Sequence, residues 1–239
     1  MNRTTSHRHP SRLLAGSLLA TLGLTGCDDP PAAVAPQTGA ASAAPKATDI
    51  LLRIDGLEIT FGEVTPYVTF LDSFAPNWAS RVKFRRVLDE FTIPLHLARR
   101  AFPEQRKQME ERSRHLRSVA TNAIELEQQG AQQVIKRKDL TRRSVELPLA
   151  VFLFDPLLTG SVSDPIEVPR GWIVASAYEV KQAALVLDDL VDSVQVGFLT
   201  HTPGDWSTWI DLEKHRVAGK VTYVHPDYRE FLPEWIQLP

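Results

Sequence analysis

Cys27 is the single thiol in a chain of 239 residues, and it stands in GLTGCDDP, residues 23–30, where apolar residues give way to acid and proline. What such a thiol can do depends on what precedes it. Residues 1–12 carry Arg3, Arg8 and Arg12 and no acid, and LLAGSLLATLGL follows, an apolar run of 12 residues at 13–24. A bilayer needs about 20 such residues to be spanned. A basic segment, a short apolar segment and small residues before a boundary make an export signal rather than a structural helix. The other set with chemical potential is His201, Asp205 and His215. A metal would call for a helical i, i+4 pair of ligands or for cysteines, and neither is present. These residues read as polar loop groups around Thr202-Pro203-Gly204, a turn. The sequence also lacks H-E-x-x-H, G-x-S-x-G and a phosphate-cradling glycine loop, so no metal and no cofactor is expected.

Leu24-Thr25-Gly26-Cys27 resembles the lipobox of bacterial lipoproteins, Leu-small-small-Cys. The resemblance implies cleavage before Cys27 and acylation of its thiol; the alternative is an ordinary signal peptide with a chance cysteine. One acyl chain holds a protein marginally, whereas two or more anchor it stably. The expected location is the periplasmic side of a bacterial membrane, with Asp28 resembling an inner-membrane retention residue. With the thiol consumed, no disulfide remains for the folded part, and export is indicated independently of that absence.

Residues 27–48 hold Pro30, Pro31, Pro36 and Pro45 and few large apolar side chains, the composition of a disordered tether. The 191 residues from 49 to 239 can bury about 70% of their unfolded surface, enough for a real core. The sequence divides into a signal at 1–26, the tether at 27–48, a helical domain at 49–143 and a small α+β domain at 144–239. A net charge of −2 hides an asymmetry: residues 104–143 hold ten Lys and Arg against six Asp and Glu, and residues 144–239 hold six against fourteen. The run Lys136-Arg137-Lys138 with Arg142-Arg143 could attract anionic headgroups or nucleic acid. Export excludes nucleic acid as the natural partner, and the plainer reading is a solvated helix end docked on the acidic half.

Residues 49–60 alternate apolar positions around Asp55-Gly56 and predict a short strand or hairpin. Thr60 and Glu63 make a capping box, so a helix should start near Phe61; Pro66 offers Thr65 as a second start. Asn77 should cap a helix reaching Arg100, with Phe84, Val87, Leu88, Phe91, Leu95, Ala98 and Phe102 along one face and a kink at Pro94. A third helix runs from Pro103 to at least Gln129, striped by Leu116, Ala120, Ala123 and Ile124. Val145–Phe154 and Ile166–Tyr178 read as strands, the second bent at Pro169-Arg170-Gly171. Val180, Ala184, Leu187, Val191 and Val194 line one face of a helix over 179–196, with Asp188, Asp189 and Asp192 opposite. Residues 220–224 read as a strand. Trp206, Trp209, Phe231 and Trp235 are spread through a loop-rich end; aromatics at that density can bind clients, and more often they plug a small core.

Leu52-Arg-Ile-Asp-Gly-Leu-Glu-Ile-Thr60 with Gly62-Glu63-Val64 resembles the V-N-G-x-x-I-T-x-x-E-V opening of the periplasmic parvulin-type foldases, the SurA/PrsA/PpiC group. Val87-Leu88-Asp89-Glu90-Phe91 through Leu97-Ala98 resembles the helix that follows in that group. Gly160 through Val174 resembles the G-x-[IV]-S-x-P-[VI]-x-T-x-x-G-[YFW]-H-I-[IV] end of the group's isomerase domain. The family's catalytic histidine falls on Ile173 and its threonine on Val168, and the upstream histidine strand has no counterpart. The resemblance implies an α+β fold with a SurA-N-like helical first half, then a small, degenerate parvulin-like sheet carrying one packed helix. Three functions follow from it. The first is a tethered holdase or assembly factor for unfolded or extended clients, with an apolar groove from Phe70, Phe74, Trp78, Phe84 and Phe91. The second is a divergent peptidyl-prolyl isomerase, and the third a scaffold lipoprotein for one envelope partner.

Overall fold

The computed structural model describes residues 44–130, 133–183 and 189–238, and residues 44–239 form one compact unit. Cys27, Asp28 and the signal lie outside the described residues, as do Ala184, Leu187 and Asp188. Strands β1 (Ile50–Ile54) and β2 (Leu57–Thr60) pair antiparallel across Asp55-Gly56. Both turn residues have positive φ, 51° and 78°, the handedness that matches strand twist in a two-residue hairpin. The Asp55 carboxylate collects Arg100 at 2.9 Å, Arg216 at 2.8 Å and Lys220 at 3.3 Å.

The capping box forms as expected. Glu63 accepts from the Thr60 backbone N–H at 2.9 Å and starts α1 (Phe61–Phe74) at Phe61, leaving Pro66 exposed inside the helix rather than in its first turn. The next helix begins after Ala79 rather than Asn77, as α2 (Ser80–Arg86), a π-helical turn (Val87–Thr92) and α3 (Ile93–Ala101). Pro94 explains the π turn. It has no N–H to give the Glu90 carbonyl, and the ladder slips so that the Ile93 N–H reaches back to Leu88 O. The expected kink is taken up there.

The single helix expected from 103 to 129 is two, α4 (Pro103–Val119) and α5 (Ala123–Gly130). Ala120 is extended, and Asn122 Oδ1 accepts from the N–H groups of Ile124 and Glu125, both at 3.0 Å, which restarts the chain in a new direction. That break turns Ile124 out to solvent and buries Leu126 in its place. Strand β3 (Val134–Thr141) then carries the basic run, so Lys136, Arg137 and Lys138 sit on a strand and not on a helix end. Of the basic run, Arg142 reaches the acidic half at buried Asp189, whereas Lys136 pairs with Glu127 of α5, within the basic segment itself.

Val145–Phe154 is helical, α6 (Leu147–Leu153), correcting the expected strand: Pro148 fits a first turn, where its missing N–H costs nothing. The expected bend at 169–171 is a tight turn between β4 (Ile166–Val168) and β5 (Gly171–Lys181). The expected helix over 179–196 is instead the end of β5 and strand β6 (Leu190–Leu199), because Val194, Val196 and Phe198 alternate into one core. The expected loop around Pro203 is α7 (Pro203–Val217), with Thr202 as N-cap accepting from the Asp205 N–H. Strand β7 (Val221–Val224) follows as expected.

Two antiparallel sheets result, β2-β1-β7 and β3-β6-β5-β4. The fold is thus mixed α+β. The larger sheet is covered on both faces: Ile173, Ala175 and Ala177 meet α6, while Val174, Val194 and Val196 meet α4 and α5. The largest core, hereafter the first core, joins β1, α1, the π turn and α3 to α7 and β7, and so draws on both sides of position 143. Trp206 and Trp209, on α7, and Phe231 and Trp235 pack against this core.

Candidate functional site

Where the first core meets the α6–β4 layer, the surface opens into a cleft of about 340 Å³. The capping box fixes Glu63, and the same helix brings Pro66 and Tyr67; the π turn brings Phe91 and Thr92; α3 brings Leu95 and Arg99; α6 and β4 bring Pro148, Ile166 and Glu167. A second hollow of about 430 Å³ adjoins it, walled by Val151, Phe152 and Leu158, and Pro148 and Ile166 line both. Two concavities thus sit either side of a shared apolar ridge. Clefts at the seam between cores are common places for ligands, because neither core fills them.

The charges of the seam cleft are matched from within. Burial raises the Glu63 carboxyl, but hydrogen bonds from His96 Nε2 at 2.7 Å and from Thr60 outweigh it and hold the group at about 2. Burial acts on Glu167 in the same sense, and Arg99 and Arg106 outweigh it, so this carboxyl too lies below its ordinary range. Arg106 Nη2 reaches Glu167 Oε1 at 2.8 Å, and Arg99 forks onto both carboxylate oxygens. Tyr67 is pushed up by burial, with the Glu167 charge adding to it, so its hydroxyl stays a neutral donor. One polar group has no partner: Thr92 is 1% exposed and its Oγ1 makes no hydrogen bond. Such orphans are uncommon in native interiors, and π turns often mark functional positions.

The five aromatics expected to line a groove are dispersed. Phe74, Phe84 and Phe91 are buried in the first core at 4%, 9% and 5% exposure, because α1, α2 and the π turn each direct one of them inward. Phe91 alone of the five also walls the seam cleft, edge-on to Tyr67 at 4.6 Å between centroids. Phe70 packs against the first core and the α6 core, and Trp78 lies under the guanidinium groups of Arg86 and Arg143 at 5.6 and 5.0 Å. The expected groove of all five is therefore not what the fold builds. Thr92, Tyr67, Leu95, Pro148 and Ile166 take its place. The π turn that carries Thr92 had a signal in Pro94, whose missing N–H frees the Glu90 carbonyl of the preceding turn.

At the positions aligned with the isomerase pattern, Ile173 is 5% exposed and Val168 fully buried, both packed against α6. His201 stacks on Trp209 and receives or gives a 2.8 Å hydrogen bond at Thr200 Oγ1, and His215 lies on the last turn of α7. Among the described residues no group of three or more His, Cys, Asp or Glu is placed to hold a metal, and no helix is long and apolar enough to cross a membrane. A larger groove of about 700 Å³ runs along α4 at Arg112, Leu116, Val119 and Phe198, but one wall adjoins residues 131 and 132, outside the described residues. The chain matches no protein-family model, no curated protein and no solved structure.

Proposed function

We propose that this chain is a membrane-tethered periplasmic lipoprotein, anchored at Cys27 and related to the parvulin-type foldases, that binds extended polypeptide rather than turning over prolyl bonds efficiently. The carrying observation is the pair of hollows about the Pro148–Ile166 ridge. The charges of the seam cleft are already neutralised from within, so an ionic ligand would gain little there, whereas an uncharged apolar segment gains burial of roughly 25 cal/mol per Å². Two hollows beside one ridge suit two side chains of an extended strand. The buried isoleucine at position 173 supports binding without efficient isomerisation: it can neither donate to a twisting amide nor hold a partner histidine.

The test is suppression of aggregation of an unfolded, apolar client by the purified chain, with binding followed by fluorescence anisotropy of an extended apolar peptide. Leu95 borders the cleft, and Ile166, at its ridge, is half-buried. Ile166→Asp should weaken peptide binding at least tenfold while circular dichroism stays unchanged. Unaltered binding by a folded Ile166→Asp variant would remove the cleft from the reading. Palmitate labelling lost in Cys27→Ser tests the anchor separately.

A further inference from the structure

A different cavity, about 330 Å³, opens where β3, β5 and β6 meet the start of α6, and it shares no residue with the seam cleft. Its floor is Leu140, Val145, Leu149 and Ile173, and its polar groups include Glu146, Arg137, Arg170 and Gln195. Glu146 occupies the N-cap position of α6 but its side chain caps nothing. It turns to Arg170, whose Nε donates to Oε1 across 3.3 Å. Oε2 is shielded from water and has no hydrogen bond. Burial pushes this carboxyl up, with Arg170 pulling against it. An acceptor left so carries an uncompensated desolvation cost that a bound donor would remove. Arg137 is exposed at the mouth and its guanidinium has no partner among the described residues.

The cavity therefore presents an unpaired carboxylate oxygen and two guanidinium groups over an apolar floor, at a size near the lower limit of ligand pockets. We propose that it binds the carboxylate end of an apolar α-amino-acid unit, either a polypeptide's C-terminal residue or the free amino acid. The carboxylate pairs with Arg137 and the remaining N–H groups of Arg170, as guanidinium forks pair with carboxylates elsewhere. The apolar side chain lies on Leu140, Leu149 and Ile173, and the N–H of the α-nitrogen donates to Glu146 Oε2. Binding here does not depend on what occupies the seam cleft.

Calorimetric titration of the full chain in detergent micelles tests this with three probes: N-acetyl-glycyl-leucine, its C-terminal amide, and free leucine. The carboxylate dipeptide should bind at least about tenfold tighter than its amide, since a charge-assisted hydrogen bond is worth ~1.5–3 kcal/mol and 1.4 kcal/mol is a factor of ten. Arg137→Gln, an exposed substitution that leaves the core alone, should cut that difference severalfold, Arg170 keeping the remainder, and Glu146→Gln should weaken every probe severalfold. Tighter binding of the dipeptide than of leucine assigns the site to chain termini, and the reverse order assigns it to free amino acids. Equal affinity for carboxylate and amide, no binding at millimolar concentration, or an Arg137→Gln variant that keeps full discrimination would each overturn the proposal.

Discussion

Replacing Arg106 by methionine should destabilise the protein far more than replacing Arg99, although both contact the same carboxylate. Arg106 enters from the first turn of α4 with its side chain 5% exposed. Its Nη1 donates to Pro169 O at 2.7 Å, and its Nη2 to Val168 O at 3.0 Å and to Glu167 Oε1 at 2.8 Å. Methionine fills the stem's volume but leaves two carbonyls of the β4–β5 turn without their donor. Removing one partner of a buried pair costs about 3–5 kcal/mol. Glu167 keeps Arg99, so the lower end applies, roughly 3 kcal/mol out of a total of about 5–15 kcal/mol. Arg99 has a side chain 44% exposed, and its loss should cost under ~1 kcal/mol. Urea unfolding followed by circular dichroism reads the difference: with a slope of about 2 kcal/mol per molar, Arg106→Met should lower the midpoint by ~1.5 M and Arg99→Met by less than ~0.5 M. Equal shifts, or a shift below ~0.5 M for Arg106→Met, would show that the fork is not what holds α4 to the turn.

Acid should weaken the protein through Glu63. Its folded carboxyl is held at about 2 against an ordinary 4.5, so the stabilisation is complete above 4.5 and is lost as pH falls toward 2. The shift corresponds to about 3 kcal/mol, discounted to ~1–2 kcal/mol because the side chain is 36% exposed; Glu63→Gln should flatten the stability profile over that window, and an unchanged slope would refute the assignment. Gly171→Ala should be among the most damaging small substitutions, since a Cβ there would lie 2.1 Å from Phe198 O at a φ of +153°. A loss of roughly 3 kcal/mol or more is expected in thermal unfolding, and a variant within ~1 kcal/mol of the parent would contradict the packing of β5 on β6.

What the sequence disclosed was local, and what it concealed depended on partners far along the chain. Asp55-Gly56 and the Thr60–Glu63 box specify their own geometry, and both appear where the residues place them. The apolar run at 145–154 fits a buried helix or strand equally by hydropathy, and the start signal in Pro148 decides it. The 179–196 segment spaces Val180, Val191 and Val194 as a helix would. The choice of strand came from β3 and β5 on either side, whose pairing makes the alternation of Val194, Val196 and Phe198 pay off in burial. Thr202-Pro203 with Asp205 is a helix opening that also reads as a turn, and the tryptophans behind it are half-buried against the first core because α7 forms. As for the site, Phe91 was legible as an apolar group on the right helix. Its partners Pro148 and Ile166 were not, because nothing local brings residue 91 beside residues 148 and 166.

The pairing of β1 with β7 sets an order of assembly. Leu52, Arg53 and Ile54 find their partners in Val224, Tyr223 and Val221, and the intervening residues must be made first. Closing so long a loop is slow, and contacts of this range delay folding more than they alter stability. Until the last strand arrives, the nascent hairpin offers an open edge onto which any extended segment can add. Completing the sheet covers that edge of β1 with the chain's own Val221–Val224.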